Sequence, residues 1–76
     1  MELLEFVRNF ATQFEDIDTT LFKGVTKFRN IEGWSSLTAL FIIGMVDEKY
    51  HVKIKGEDIQ KSQTIEDLFN IVKSRI

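Results

Sequence analysis

With no cysteine among its 76 residues, this chain has no disulfide and no thiolate-bound metal to hold it. Folding rests on apolar side chains alone. The length is close to the smallest at which one core suffices, so residues 1–76 are expected to form one domain. There is also no proline, and the four glycines fall at positions 24, 33, 44 and 56. Long helices are therefore permitted, with Gly24, Gly33 and Gly56 lying between the periodic segments.

The apolar spacing is helical. Leu3, Val7, Phe10 and Phe14 recur at intervals of three and four, widened by Leu4, Phe6 and Ala11, which predicts an amphipathic helix over 2–14. A long connection from Asp16 to Gly33 holds Ile17, Leu21, Phe22, Val25, Phe28 and Ile31. A free loop would not carry so many large apolar groups, so they are expected to pin this segment to the core. Ser35 or Ser36 then caps a second helix running to about Tyr50. His51-Val52-Lys53-Ile54 alternates with period two but is too short to form a sheet by itself. Gly56-Glu57-Asp58-Ile59 suggests a short helical turn. Thr64 and Asp67 have capping-box spacing, with Asp in place of Glu or Gln. They open a last helix expected to turn Ile65, Leu68, Phe69, Val72 and Ile76 inward.

Charge and composition exclude several function classes. Residues 1–32 hold six acids and four bases, and residues 33–76 hold six of each. Without a basic block, nucleic-acid binding has little electrostatic support; Lys53, Lys55 and Lys61 read as a solvated face. His51 is the single histidine, which rules out most histidine-based catalytic and metal constellations within one chain, and we expect no metal site. The longest apolar run, Ala39 to Val46, is too short for a membrane span. Glu2 and Glu5 do not fit the basic-then-apolar order of a signal peptide. A cytoplasmic protein is the expectation. The acid pairs Glu57-Asp58 and Glu66-Asp67 have no nucleophile beside them, so no enzyme activity is expected.

The stretch that carries chemistry is Gly33-Trp34-Ser35-Ser36-Leu37-Thr38-Ala39-Leu40. A serine at the first turn of a helix sits beside unpaired N–H groups and the positive end of the dipole, where a phosphodiester is favoured. Gly33 lets the backbone enter the helix sharply. Leu37 is expected to turn inward and anchor this turn, leaving Ser36 pointing out. Leu40, Ile43 and Val46 are the aliphatic side chains that would part around an apolar chain. The plain alternative is that Ser35 and Ser36 only cap a helix, and that Trp34 is a half-buried anchor.

Taken in order, these pieces resemble the acyl carrier protein family over nearly the whole chain. Ser36-Leu37 matches the end of that family's Asp-Ser-Leu attachment motif. Asp47-Glu48-Lys49-Tyr50 matches the acid-acid-x-aromatic close of its second helix. Val52 and Ile54 follow as its short β-like stretch does, and Thr64-Ile65-Glu66-Asp67-Leu68 matches the start of its last helix. Among carrier proteins, the chain looks most like small standalone bacterial ones whose motif begins with tryptophan. The resemblance implies an all-α bundle of three long helices plus one short helix, with a long first loop. It also implies a 4′-phosphopantetheine arm on Ser36, attached by a separate Mg²⁺-dependent phosphopantetheinyl transferase, with an acyl group carried as a thioester on the arm's thiol. The lack of cysteine does not conflict with this, because the arm supplies the sulfur.

Implied partners are that transferase and acyl-activating, ketosynthase or acyltransferase enzymes of fatty acid, polyketide-like or surface-glycolipid synthesis. They would touch Trp34, Ser35, Leu37, Phe41, Met45, Asp47 and Glu48 of a monomer. Where the family has an acid before its serine, this chain has Ser35, and Thr38 and Phe41 stand where acids are common. Electrostatic steering by this helix is accordingly weaker. An aminoacyl carrier (peptidyl or D-alanyl) shares the same serine, and a helical adaptor that has lost the arm is the reading of a different class.

Overall fold

The computed structural model describes residues 2–15 and 18–76. Its architecture is all-α: four helices, with no strand among the described residues. Helix α1 spans Leu3–Ala11, α2 Ser36–Tyr50, α3 Gly56–Lys61 and α4 Ile65–Ser74, and single 3₁₀ turns at Thr19–Leu21 and Phe28–Asn30 punctuate the first connection.

Helix α1 stops three residues short of the span its spacing predicts. Thr12 Oγ1 and Gln13 Nε2 both donate to the Asn9 carbonyl, at 2.7 and 3.1 Å. The backbone then tightens, with Gln13 and Phe14 N–H bonding the carbonyls three residues back. Phe14 remains buried although it lies outside the helix.

An aromatic ladder forms the core. Phe6 meets Phe69 of α4 at 5.6 Å between ring centroids and Phe10 meets Phe28 of the first connection at 5.6 Å. Phe14 packs on Phe22 at 5.2 Å. These tilted pairs tie the first connection to α1 and α1 to α4. As expected, Phe22 and Phe28 pin the connection, with Ile31 partly buried against the same core. Leu21 and Val25 do not: both are exposed. The connection is anchored at two aromatic points, and Leu21 before the first and Val25 between them lie over the surface. Ile17 falls outside the described residues.

Backbone hydrogen bonds complete the anchoring. The Gly24 and Thr26 carbonyls accept from the N–H groups of Glu66 and Ile65, at 2.9 and 3.2 Å, so the first connection satisfies donors at the start of α4. A Cβ on Gly24 would meet Leu3 Cδ2 at 3.0 Å, so a larger residue there would require the Leu3 side chain to shift. The capping box of α4 forms as its spacing predicts. Asp67 N–H donates to Thr64 Oγ1 at 3.1 Å, and the Asp67 carboxylate accepts from Thr64 N–H at 3.0 Å. These hydrogen bonds hold the Asp67 carboxyl below its ordinary pKa. Ile65, Leu68, Phe69 and Val72 face inward, whereas Ile76 is exposed because the helix ends at Ser74 and its periodicity no longer applies.

Helix α3 is held at both ends by arginines from elsewhere in the chain. Near its N-terminus, buried Asp58 takes both terminal nitrogens of Arg75, at 2.7 and 2.9 Å, and accepts from Lys55 N–H at 2.9 Å. The Arg75 guanidinium lowers the Asp58 carboxyl to about 2. At its C-terminal end, Arg29 donates to the carbonyls of Ile59, in the last turn, and Ser62, the C-cap. The alternation of Val52 and Ile54 survives as two buried side chains between exposed neighbours, without strand pairing.

Candidate functional site

The turn leading into α2 separates the two serines. Gly33 takes a left-handed φ of 93°, a region open to glycine at little cost. Ser35 is the N-cap, with extended φ and ψ of −157° and 173°. Its Oγ accepts from Thr38 N–H at 3.3 Å and lies 3.2 Å from Thr38 Oγ1. Thr38 Oγ1 in turn donates to the Gly33 carbonyl at 3.0 Å. Ser36 is the first helical residue, exposed, and its hydroxyl takes no part in this network. One serine is spent on the cap and the next is free.

Thr38, not Leu37, anchors the turn. It is buried, while Leu37 is 58% exposed, which corrects the expectation that Leu37 turns inward. The hydroxyl network draws residue 38 inside, and the helical step of about 100° then carries residue 37 outside. Leu40 is 62% and Phe41 51% exposed. With exposed Gly44, they continue one stripe at i, i+3, i+4 and i+7 from Leu37.

Met45 does not belong to this surface. It is buried in the core and cannot serve as the contact residue expected of it. Trp34 is a half-buried anchor, with its ring centroid 4.9 Å from Phe28 and 6.3 Å from Phe14. Asp47 and Glu48 are exposed at the far end of α2. His51 ends the helix in the left-handed region, at φ 57°, with its N–H on the Asp47 carbonyl.

A groove of about 500 Å³ opens beside Ser36. Its walls are Ser36, Leu40 and Ile43 of α2 and Gly56, Ile59 and Gln60 of α3, with Trp34 and Arg29 closing one side. Val46 is fully buried and does not line it, so two of the three aliphatic residues expected to part around a chain face this space. A second hollow of about 320 Å³ lies beside Phe14, Leu37, Thr38 and Phe41.

Sequence reasoning did not find Arg29, Gly56, Ile59 or Gln60. They join the site through the packing of α3 against α2 and through Arg29's reach to α3, a contact 30 residues distant in the chain, and no local spacing signals either. The groups with displaced titration are elsewhere. Asp58 and Asp67 serve α3 and α4, and burial raises the Tyr50 phenol, which accepts from Asn9 Nδ2 at 2.8 Å. Among the described residues, no three His, Cys, Asp or Glu side chains come together to hold a metal ion, and no helix is long and apolar enough to cross a membrane.

Compared with known proteins, the chain matches no family, no curated protein and no solved structure.

Proposed function

We propose that this protein is a carrier that holds an acyl group on a 4′-phosphopantetheine arm esterified to Ser36. The observation that carries the proposal is the division between the two serines: Ser35 Oγ caps α2, while the exposed Ser36 hydroxyl is left outside the capping network. A helix needs one cap, and a second free hydroxyl on the first turn has no structural task.

The surroundings suit the group. The first-turn N–H groups of α2 favour a phosphodiester at Ser36. The groove next to it is lined by Leu40, Ile43 and Ile59, and its volume falls in the range of small-molecule sites. In attachment, Ser36 Oγ attacks the phosphorus of coenzyme A that bears the pantetheine. A new O–P bond forms and the pyrophosphate P–O bond breaks. Adenosine 3′,5′-bisphosphate leaves, and the serine proton passes to a base on the transferase. When bound, the arm supplies the thiol that this cysteine-free chain lacks. The chain's own part is to present Ser36, favour the phosphate with its helix terminus and shelter an apolar cargo between α2 and α3.

Intact-protein mass after incubation with coenzyme A, Mg²⁺ and a broad-specificity phosphopantetheinyl transferase tests the proposal. Wild type gains one phosphopantetheine and Ser36→Ala gains none. An unchanged wild-type mass would leave Ser36 an ordinary first-turn residue and favour the unmodified adaptor.

A further inference from the structure

Between Asp18 and Glu32 the chain has three bases, Lys23, Lys27 and Arg29, and no acid. Two of them meet at the junction of α3 and α4. A hollow of about 230 Å³ opens there, lined by Lys27, Arg29, Asn30 and Gln63. All four side chains are exposed and all four can donate hydrogen bonds, while no acid lines the space.

The backbone sets these residues in place. Lys27 pairs with Thr64 in an antiparallel bridge, and its carbonyl accepts from Asn30 N–H at 3.0 Å. Gln63 stands between the C-cap of α3 and the N-cap of α4, with its N–H on the Asp67 carboxylate at 3.0 Å. Arg29 is fixed by the Ile59 and Ser62 carbonyls and lies over the Phe28 ring, 5.0 Å from its centroid. Those two bonds leave most of its five N–H donors unspent. Among the described residues, no ion pair takes the Lys27 ammonium and no hydrogen bond takes the side-chain amides of Asn30 and Gln63. The acid of this junction, Asp67, is engaged by the N–H groups of Gln63 and Thr64 and does not line the hollow.

We infer that this hollow binds the phosphoryl group of a phosphate monoester, or free phosphate. Two cations and two amides bordering one small space suit a dianion that only accepts hydrogen bonds. A carboxylate, with two oxygens and one charge, leaves donors unmet. The volume lies below the usual range of small-molecule sites, so it takes the phosphoryl group and leaves the rest of a ligand outside. Nucleic acid fits poorly, because the chain has a net charge of −2 and the bases form no longer track. Two sources present this chemistry: a solute in water and a phosphatidate headgroup at a bilayer. The inference is independent of the arm on Ser36, whose phosphodiester carries a single charge.

The test is an NMR titration of the unmodified, isotope-labelled chain with sodium phosphate, at an ionic strength held constant with NaCl. The side-chain amide signals of Asn30 and Gln63 should move together and saturate, with a Kd of about 1–10 mM. Lys27→Met should weaken binding about fivefold or more. Lys53→Met makes the same charge change at another exposed position and should stay within about twofold of wild type. Thermal melts check that both substitutions leave the fold intact. Cosedimentation with phosphatidylcholine vesicles containing phosphatidate, lost in Lys27→Met, assigns a lipid headgroup as the source; binding of inorganic phosphate without cosedimentation assigns a solute. Binding of neither, signals that acetate moves equally, or an affinity that Lys27→Met leaves unchanged overturns the site. None of these outcomes bears on Ser36, whose modification is read separately by mass.

Discussion

Helices α2 and α4 use apolar residues in opposite ways. In α4, Ile65, Leu68, Phe69 and Val72 are buried and the remaining surface is mostly polar, the pattern of a helix made to close a core. In α2, Ile42, Met45 and Val46 do that work, yet Leu37, Leu40 and Phe41 lie on another face, open to solvent. The core does not need these three. Helix α4 is explained by folding alone; α2 carries a surplus, and that surplus begins beside the free serine.

The sharpest way to break this comparison is to truncate phenylalanines on either side of it. Phe10→Ala and Phe28→Ala remove fully buried rings and should cost about 3–5 kcal/mol in urea unfolding, enough to unfold much of a marginal domain. Phe41→Ala should change stability by no more than about 0.5 kcal/mol. A large loss at Phe41 would make the α2 stripe part of the core after all.

The two serines predict a smaller contrast. Ser35→Ala removes the cap of α2 and should cost about 1 kcal/mol, whereas Ser36→Ala should fall within about 0.5 kcal/mol of wild type in the same unfolding series. Equal losses would mean that the capping role is shared.

A further contrast concerns acid. The Asp58 carboxyl is lowered from the ordinary 3.8 to about 2 by Arg75 and the Lys55 N–H. As pH falls, the unfolded chain binds this proton first. The pair's contribution is therefore complete above about pH 4 and is lost as pH falls towards 2. Asp58→Asn should flatten that part of the stability curve, followed by circular dichroism against pH. The same acid loss in the variant would assign it to other carboxylates.

Much of the scaffold was legible in the sequence. The helical spacing of Leu3, Val7 and Phe10, the Thr64–Asp67 box and the aromatic anchors Phe22 and Phe28 are local signals, and the structure follows them. The orientation of α2 was not legible, because Leu37 to Val46 is apolar at nearly every position and no face stands out. A polar residue decides it: the Thr38 hydroxyl, tied to the Gly33 carbonyl, is drawn inside and turns Leu37 out. That also explains why Met45 was misplaced on the surface and Leu37 in the core. The α3 wall of the groove depends on Arg29 reaching the Ile59 and Ser62 carbonyls, a long-range contact invisible to spacing.

The central claim is that neighbouring serines have separate tasks, and peptide-level mass mapping after transferase treatment of wild type and Ser35→Ala tests it most directly. The account predicts one phosphopantetheine on Ser36 in both proteins, since Ser35 serves the helix and not the arm. Phosphopantetheine found on Ser35 would contradict it.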